Sequence, residues 1–197
     1  MEVGIVSMHP TVSEYRTIVP ALQRIGYSSI ILYREKMTDD ELLHAISTSK
    51  IQHWIFTGSH YNVNEENAPY VPLDILKIPK YFLLICYSIE SFITQLLSDP
   101  TLLKKRYEKK SELFHLKQPT MYSWLFNTIK EKMVLRRSHR YYLSSGTIAP
   151  ITEIAAYRGE VMIATYKNCL LTQFQPDKTP DGVKMIKNWL DLPLTHL

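Results

Sequence analysis

Residues 80–97 decide the fold, because their sequence, KYFLLICYSIESFITQLL, joins the pattern of a buried strand to that of an amphipathic helix. The pattern predicts a strand from Tyr81 to Ile85, a sharp turn at Cys86 and a helix from about Ser88 to Leu97. A cysteine at such a junction lies where ligands bind in open α/β sheets, beside a helix amino terminus that favours the thiolate. The alternative is a structural cysteine, since free cysteine is among the most buried residue types.

The chain before residue 80 alternates between strand and helix patterns. Short apolar runs predict strands, and apolar residues at helical spacing predict helices. The predicted strands are 3–8, 29–33 and 54–56. The first predicted helix is 11–26 and ends at a Gly26 cap. The second begins at a Thr38–Glu41 capping box and is expected to bury Leu42, Leu43 and Ile46. Residues 62–72 are polar and contain proline, which indicates a loop, and 73–77 a short helical turn. This order favours a parallel sheet with helices on both faces.

After Asp99 the sequence no longer alternates between strand and helix patterns. Short strand patterns separated by turns indicate an antiparallel or mixed extension of the sheet, and a final helix is predicted at 179–190, with Val183, Ile186, Trp189 and Leu190 on one face. The predicted short strands are 107–116, 132–137, 153–157, 161–166 and 169–174.

Composition sets the broad class. The chain has 197 residues, 45% of them hydrophobic and 21% charged, which predicts one soluble domain spanning residues 1–197. No apolar run reaches the roughly 18 residues of a membrane helix, and the first residues lack a signal-peptide pattern. Two cysteines are too few for a disulfide framework, so we expect a reducing, cytoplasmic setting. Cys169 and the three tryptophans are predicted to lie in the core, and we expect no membrane partner.

Four segments together resemble the class I glutamine amidotransferases, most closely the glutaminase domain of GMP synthase. WIFTGSHYNVNEENAPYV (54–71) resembles the family's oxyanion strand "SGGP" and the loop after it, and LLICYSIES (83–91) its nucleophile elbow G-x-C-x-G. MYSWLFNTIKEKMVLRRSHRYYLSS (121–145) resembles the stretch that carries "MSHGD", and LLTQFQPDKTPDGVKMIKNWL (170–190) the "GVQFHPE" segment with its terminal helix. Their order and spacing agree across nearly the whole chain.

The resemblance implies a three-layer α/β/α sandwich, with a flavodoxin-like, mostly parallel sheet and a C-terminal antiparallel extension. It implies glutamine hydrolysis by a Cys-His-Glu triad, and ammonia transfer to a synthase-type partner that would here be a separate protein. Glutamine or a related small ligand is the implied substrate. No cofactor and no metal are implied, and assembly of identical chains stays open.

The triad does not carry over intact. Cys86 matches the nucleophile, but Gln175 stands in the place of the general-base histidine and Asp177 in that of the glutamate that orients it. An amide cannot accept a proton at neutral pH, and losing a positioned base typically costs about 10²–10⁴-fold in rate. An unassisted thiol, with a pKa near about 8.5, is mostly protonated at pH 7.

The surrounding motif positions have changed as well. Backbone N–H groups of Ser59 and Tyr87 match the oxyanion donors. Leu84 and Ser88 replace two glycines of the elbow, and the bulky Leu84 is expected to push the strand and the helix apart. Glu90 replaces a substrate-holding glutamine and places a carboxylate beside the thiol, which disfavours the thiolate and repels the α-carboxylate of glutamine.

The resemblance places five residues around the substrate: Gly58, His60, Glu90, Ser138 and His139. Ser138-His139 survives from "SHGD", whereas Arg140-Tyr141 replaces Gly-Asp. The sequence therefore favours a member with an incomplete triad, a pseudoenzyme that acts by binding a partner or ligand. The alternative is an active glutaminase or other amide hydrolase that uses Cys86 with His60 or His139 as a substitute base.

Two basic clusters allow another interpretation. One spans Lys104–Lys110 and the other Arg136–Arg140, and tyrosines lie near both, so they could contact phosphate or nucleic acid. A solvated charged surface explains such runs more simply, and the net charge of +4 is mild. Nucleic acid is therefore the least favoured partner.

Overall fold

The computed structural model describes residues 1–9, 15–106, 111–146 and 150–192. Within them lie four α-helices: α1 (Tyr15–Arg24), α2 (Asp39–Thr48), α3 (Tyr87–Leu97) and α4 (Pro180–Leu190). The strands are β1 (Glu2–Ser7), β2 (Ser28–Tyr33), β3 (His53–Phe56), β4 (Tyr81–Ile85), β5 (Leu103–Lys105), β6 (Glu112–Lys117), β7 (Lys132–Arg137), β8 (Tyr141–Leu143), β9 (Thr152–Tyr157), β10 (Glu160–Tyr166) and β11 (Cys169–Thr172).

Seven strands form the central sheet in the order β2-β1-β3-β4-β11-β10-β9. The first five are parallel to one another, and β10 and β9 extend the sheet antiparallel. The predicted sheet with its C-terminal antiparallel extension is thus confirmed. The carboxyl ends of β3 and β4 meet at one edge, which brings the segment 57–59 next to Cys86.

Helices cover both faces of the sheet, as predicted. One face packs against α1 and α4, through buried side chains such as Ile18, Leu22, Ile186 and Trp189. The other face packs against α2 and α3, where Leu42, Ile46, Phe92 and Ile93 are buried. Two apolar layers on one sheet give the three-layer sandwich.

Local signals account for the helix boundaries. The Thr38 side chain accepts a hydrogen bond from the Glu41 backbone N–H, and the Glu41 side chain bonds back to Thr38, which confirms the capping box. Gly26 has φ +88° after α1, as the predicted left-handed cap requires. The 73–77 turn is 3₁₀-helical, and residues 62–72 contain no helix or strand.

Three expectations need correction. The segments predicted at 107–116 and 132–137 do not extend the central sheet, since β6 pairs with β7 in a separate two-stranded ribbon and residues 107–110 lie outside the described residues. Val183 is only half-buried on α4, because the buried face runs through Met185 instead. Leu84 does not push β4 and α3 apart: it is fully buried in the same apolar cluster as Phe92 and Ile93 of α3.

Candidate active site

Cys86 lies between β4 and α3 in a backbone conformation that residues with a side chain rarely adopt. Its φ is 54° and its ψ −111°, and its backbone N–H donates a 2.8 Å hydrogen bond to the Thr172 carbonyl. Holding a non-glycine residue there costs on the order of 1–3 kcal/mol and requires surroundings that fix it. The turn aims a cysteine at the carboxyl edge of the sheet, and its side chain is 4% exposed.

A buried serine fixes the turn at Cys86 to the segment that follows β3. Ser88 is fully buried in the first turn of α3, and its hydroxyl donates a 2.6 Å hydrogen bond to the Thr57 carbonyl. This bond ties α3 to the segment that follows β3. A Cβ added to Gly58 would lie 3.5 Å from the Cys86 Cβ, which is ordinary contact. The two motif segments are therefore packed against each other.

The cavity beside Cys86 is very small. It measures about 20 Å³, which is room for roughly one water molecule. The Cys86 thiol approaches the Ser138 carbonyl to 3.6 Å, so the 138–140 segment closes directly over the sulfur. Small-molecule sites typically measure about 300–1,000 Å³, so this cavity does not hold a glutamine as it stands. It is lined by Ser59, His60, Tyr61, Cys86, Tyr87, Glu90, Ser138, His139 and Arg140.

This lining brings together most of the residues that the sequence picked out. Ser59 and Tyr87, the two positions expected to supply oxyanion donors, both face the cavity. Tyr87 is the first residue of α3, where a backbone N–H has no acceptor within the helix. The Tyr87 hydroxyl donates to the Pro69 carbonyl at 2.6 Å, which anchors the loop over the cavity; burial and the nearby Glu90 charge raise its pKa.

Gln175 and Asp177 line a neighbouring crevice rather than this cavity. They sit with Gly58 and Ile85 around a space of about 10 Å³. The Gln175 backbone N–H donates to the Arg136 carbonyl at 2.8 Å, and the Asp177 carboxylate accepts a hydrogen bond from the Thr17 hydroxyl of α1. The structure thus places both beside Ile85, the residue before Cys86.

Glu90 is buried at the floor of the cavity, 3% exposed. Its carboxylate accepts a 3.0 Å hydrogen bond from the side-chain amide of Gln173, which is 1% exposed. The other amide atom of Gln173, Oε1, has no partner in the described part of the chain. Sequence reasoning identified Glu90 but missed Gln173, which looks like one more residue of the strand pattern that leads to Gln175.

His139 points into a buried ionic cluster. Its Nε2 lies 2.9 Å from the Glu160 carboxylate, and the imidazole is 2% exposed. Burial lowers the His139 pKa and outweighs the opposing effect of Glu160, so the ring is neutral at pH 7. Its Nδ1 has no partner among the described residues. A neutral imidazole held by a carboxylate can accept a proton, and no sequence signal linked Glu160 to this position.

Two arginines complete the cluster around Glu160. Arg137 contacts the Glu160 carboxylate at 2.7 Å on one side and Glu112 on the other, and Arg106 lies 3.5 Å from Glu160. Burial opposes ionisation of Glu160, but its bond to His139 and the arginine charges prevail and lower its pKa. Arg106 and Arg137, one from each predicted basic cluster, therefore form ion pairs with Glu160.

His60 lies on the exposed side of the cavity. Its Nδ1 is 2.6 Å from Nε2 of His9, and its ring stacks on Tyr61 at 4.5 Å. His9 comes from the segment after β1 and was not singled out by the sequence. Arg140, at the same rim, donates a 2.9 Å hydrogen bond to Asn62.

Metal ligands and membrane helices are not found in the described part of the chain. Among its residues, no three His, Cys, Asp or Glu side chains are grouped to hold a metal ion. None of its helices is both long and apolar enough to traverse a bilayer.

The predicted core residues are mostly buried. Cys169 is fully buried, which confirms its prediction as core, and burial raises its pKa. Trp54 and Trp189 are buried, whereas Trp124 is half-buried. Of the basic clusters, Lys109 and Lys110 lie outside the described residues.

Solved structures with the same fold include glutamine amidotransferases and their subunits. A GMP synthase subunit from Thermoplasma acidophilum superimposes with a TM-score of 0.70 at 15% identity, over 96% of this chain and 92% of that one. The glutaminase domain of Trypanosoma brucei CTPS, solved with bound acivicin, gives 0.66 at 11% identity over 95% and 93%. A Thermotoga maritima glutamine amidotransferase gives 0.60 at 13% identity over 96% and 81%.

The chain therefore has the fold of the class I glutamine amidotransferases. More particularly, the chain is related to the glutaminase region of GMP synthase. It is 28% identical over 164 residues to the glutamine-hydrolysing GMP synthase of Ruminiclostridium cellulolyticum, covering 81% of this chain and 31% of that protein. The chain thus spans about a third of the length of this curated relative. No family model matches it.

Proposed function

We propose that this chain is a single amidotransferase-like domain, residues 1–197, that no longer hydrolyses glutamine and acts by binding a synthase-type protein partner. The observation that carries the proposal is the closed cavity at Cys86. About 20 Å³ remains between the thiol, Glu90 and the 138–140 segment, and Ser138 lies in contact with the sulfur. Glutamine hydrolysis needs the amide carbon at the thiol, and that approach is filled.

The chemistry beside the thiol supports the same conclusion. A thiol attacks an amide as the thiolate, so it needs a base or a positive neighbour. The residue that takes the place of the family's base is Gln175, whose amide provides neither. Glu90 adds a buried carboxylate on the other side, and a negative neighbour disfavours the thiolate. Glutamine would bring its own α-carboxylate towards the same group.

The similar proteins support the proposal that this chain binds a synthase-type partner. The curated relative is a GMP synthase of which this chain matches 31%, and a structural neighbour is the glutaminase domain of a larger synthase. We infer that the surface around the 59–71 loop, whose Ser59, His60 and Tyr61 line the Cys86 cavity, meets a synthase-type protein.

Acivicin provides a direct test of the closed cavity, because the T. brucei glutaminase domain binds it. We expect acivicin not to bind or label this chain, as measured by intact-mass spectrometry and calorimetry. Iodoacetamide labelling of the denatured chain, located at Cys86 by peptide mapping because Cys169 is labelled too, is the control that Cys86 is present and reduced. Acivicin attached to Cys86 of the native protein, and absent in Cys86→Ala, would refute the closed site.

One observation favours a second candidate, an amide hydrolase that uses Cys86 with His139. The two residues line the same cavity, and Glu160 holds His139 as an acid residue holds the base of a triad. His60, the other substitute base, is exposed and bonded to His9 instead. Hydrolysis of small amides by the wild type that is lost in both Cys86→Ala and His139→Gln, but kept in His60→Gln, would establish this candidate over the first.

A further inference from the structure

A cavity bounded by described residues lies at the opposite end of the sheet from Cys86. It measures about 620 Å³, within the usual range of small-molecule sites. The amino ends of β1 and β3 and the carboxyl end of α4 enclose it. Its lining residues are Met1, Glu2, Lys50, Ile51, Gln52, His53, Leu190, Asp191 and Leu192.

His53 is a buried polar residue that lines this cavity. It is 4% exposed, and its ring is held by Tyr81, stacked at 5.3 Å, and by the edge of Trp189 at 4.9 Å. Within the described part of the chain, no residue forms a hydrogen bond with either ring nitrogen. The ring nitrogens of His53 are not among the fully buried side-chain atoms that lack a partner, so they are accessible from the cavity and can form a hydrogen bond with a molecule bound there.

The protonation of His53 limits the chemistry of that partner. Burial lowers its pKa to about 4, so the ring is neutral at pH 7 and offers one N–H donor and one acceptor nitrogen. It supplies no charge to offset a charged ligand, and burying an uncompensated charge is costly. A matching ligand therefore carries an uncharged donor or acceptor.

The walls of the cavity favour the same kind of ligand. Ile51, Leu190 and Leu192 give apolar sides, while Glu2 and Lys50 lie at the rim with opposite charges. Asp191 already binds Lys187 and the Tyr27 hydroxyl. Charge at the rim thus nearly cancels, and the interior favours apolar surface.

We propose that this cavity binds an uncharged, mostly apolar small molecule through a hydrogen bond to His53. The site is separate from the Cys86 cavity, because β3 and β4 each run from one end of the sheet to the other between them. His53 begins β3 and Tyr81 begins β4, whereas Gly58 and Cys86 follow their carboxyl ends. The proposal therefore stands independently of what Cys86 does.

Benzimidazole and indene test the site on the full chain. They have nearly the same size and shape, but only benzimidazole carries a donor and an acceptor, and it is uncharged near neutral pH. Calorimetry or ligand-observed NMR would compare the wild type with His53→Phe, which keeps an aromatic ring at the position. His44→Phe, at an exposed histidine of α2, is the matched control.

We expect benzimidazole to bind the wild type and His44→Phe alike, and His53→Phe about five- to tenfold more weakly, as the loss of one hydrogen bond predicts. Indene should bind the wild type and His53→Phe equally. In the wild type, benzimidazole should also shift the NMR resonances of the His53 ring. Absence of benzimidazole binding at about millimolar concentration, unchanged binding to His53→Phe, or no shift of the His53 resonances would overturn the proposal.

Discussion

The side-chain amide of Gln173 donates a 3.0 Å hydrogen bond to the buried carboxylate of Glu90, which lines the same cavity as Cys86. The two residues come from β11's end and from α3, 83 positions apart, and both are at most 3% exposed. The bond holds the Glu90 carboxylate in the cavity that contains the Cys86 thiol, where a negative charge disfavours the thiolate. It connects the closed cavity to the loss of chemistry that we propose.

Removing this carboxylate should make the thiol more reactive. Glu90→Gln keeps the size of the side chain and removes its charge, so the thiolate becomes less costly to form. We expect iodoacetamide to alkylate Cys86 of this variant several-fold faster at neutral pH, by about one order of magnitude at most. Glu66→Gln, at an exposed glutamate of the 59–71 loop, should leave the rate unchanged. Equal rates for Glu90→Gln and the wild type would show that Glu90 does not act on the thiol.

Glu160 should be among the most sensitive polar residues for stability. Its carboxylate holds Arg137, Arg106 and His139 in a buried cluster, so Glu160→Gln leaves positive charges buried without their partner. Breaking one side of a buried ion pair typically costs about 3–5 kcal/mol. We expect a loss of about 3 kcal/mol or more in the free energy of unfolding, measured with urea.

The exposed ion pair between Lys77 and Asp74 offers the matched control for that variant. Both side chains are more than half exposed, and such pairs contribute at most about 1 kcal/mol. Asp74→Asn should therefore change the unfolding free energy little. A Glu160→Gln variant as stable as Asp74→Asn would mean that the cluster does not stabilise the fold.

Stability should fall in mild acid because of buried histidines. Burial lowers the folded-state pKa of His53 to about 4, below the ordinary value of about 6.5, so the unfolded chain binds more protons between these two pH values. Stability is therefore complete above about pH 6.5 and declines as the pH falls towards about 4, by up to about 3 kcal/mol from this residue. His139, whose pKa is also lowered by burial, acts in the same direction.

Urea unfolding of the wild type and His53→Phe at several pH values between about 7 and 4 measures this effect. The variant cannot be protonated at this position, so its stability should depend less on pH than that of the wild type. His44→Phe should keep the wild-type slope, since His44 is exposed. Parallel profiles for the wild type and His53→Phe would contradict the assignment.

Much of the fold could be predicted from local signals. Cys86 between a strand and a helix pattern, the Thr38–Glu41 capping box and Gly26 each fix an element through its own neighbours, and each was found where the sequence placed it. The β6–β7 ribbon could not be placed, because strand patterns give a strand but not its partner. Pairing between distant segments depends on packing that no local pattern records.

The sequence predicted the residues of the candidate site that lie in recognisable motif segments, but not the others. Cys86, Ser59, Glu90 and His139 were identified from motif segments and lie around one cavity. Other residues, Glu160 and Gln173, were missed, since each lies in an ordinary strand sequence and gains its role only from a partner far along the chain. The small size of the cavity at Cys86 could not be predicted from the sequence either, because it depends on the position of the Ser138 carbonyl.

Ammonia release from glutamine by the purified wild-type chain, compared with Cys86→Ala, tests the central claim most directly. The closed cavity, Gln175 and Glu90 predict the same background rate for both proteins, with or without a synthase-type partner. Glutamine turnover by the wild type that disappears in Cys86→Ala would contradict the account and establish Cys86 as a working nucleophile.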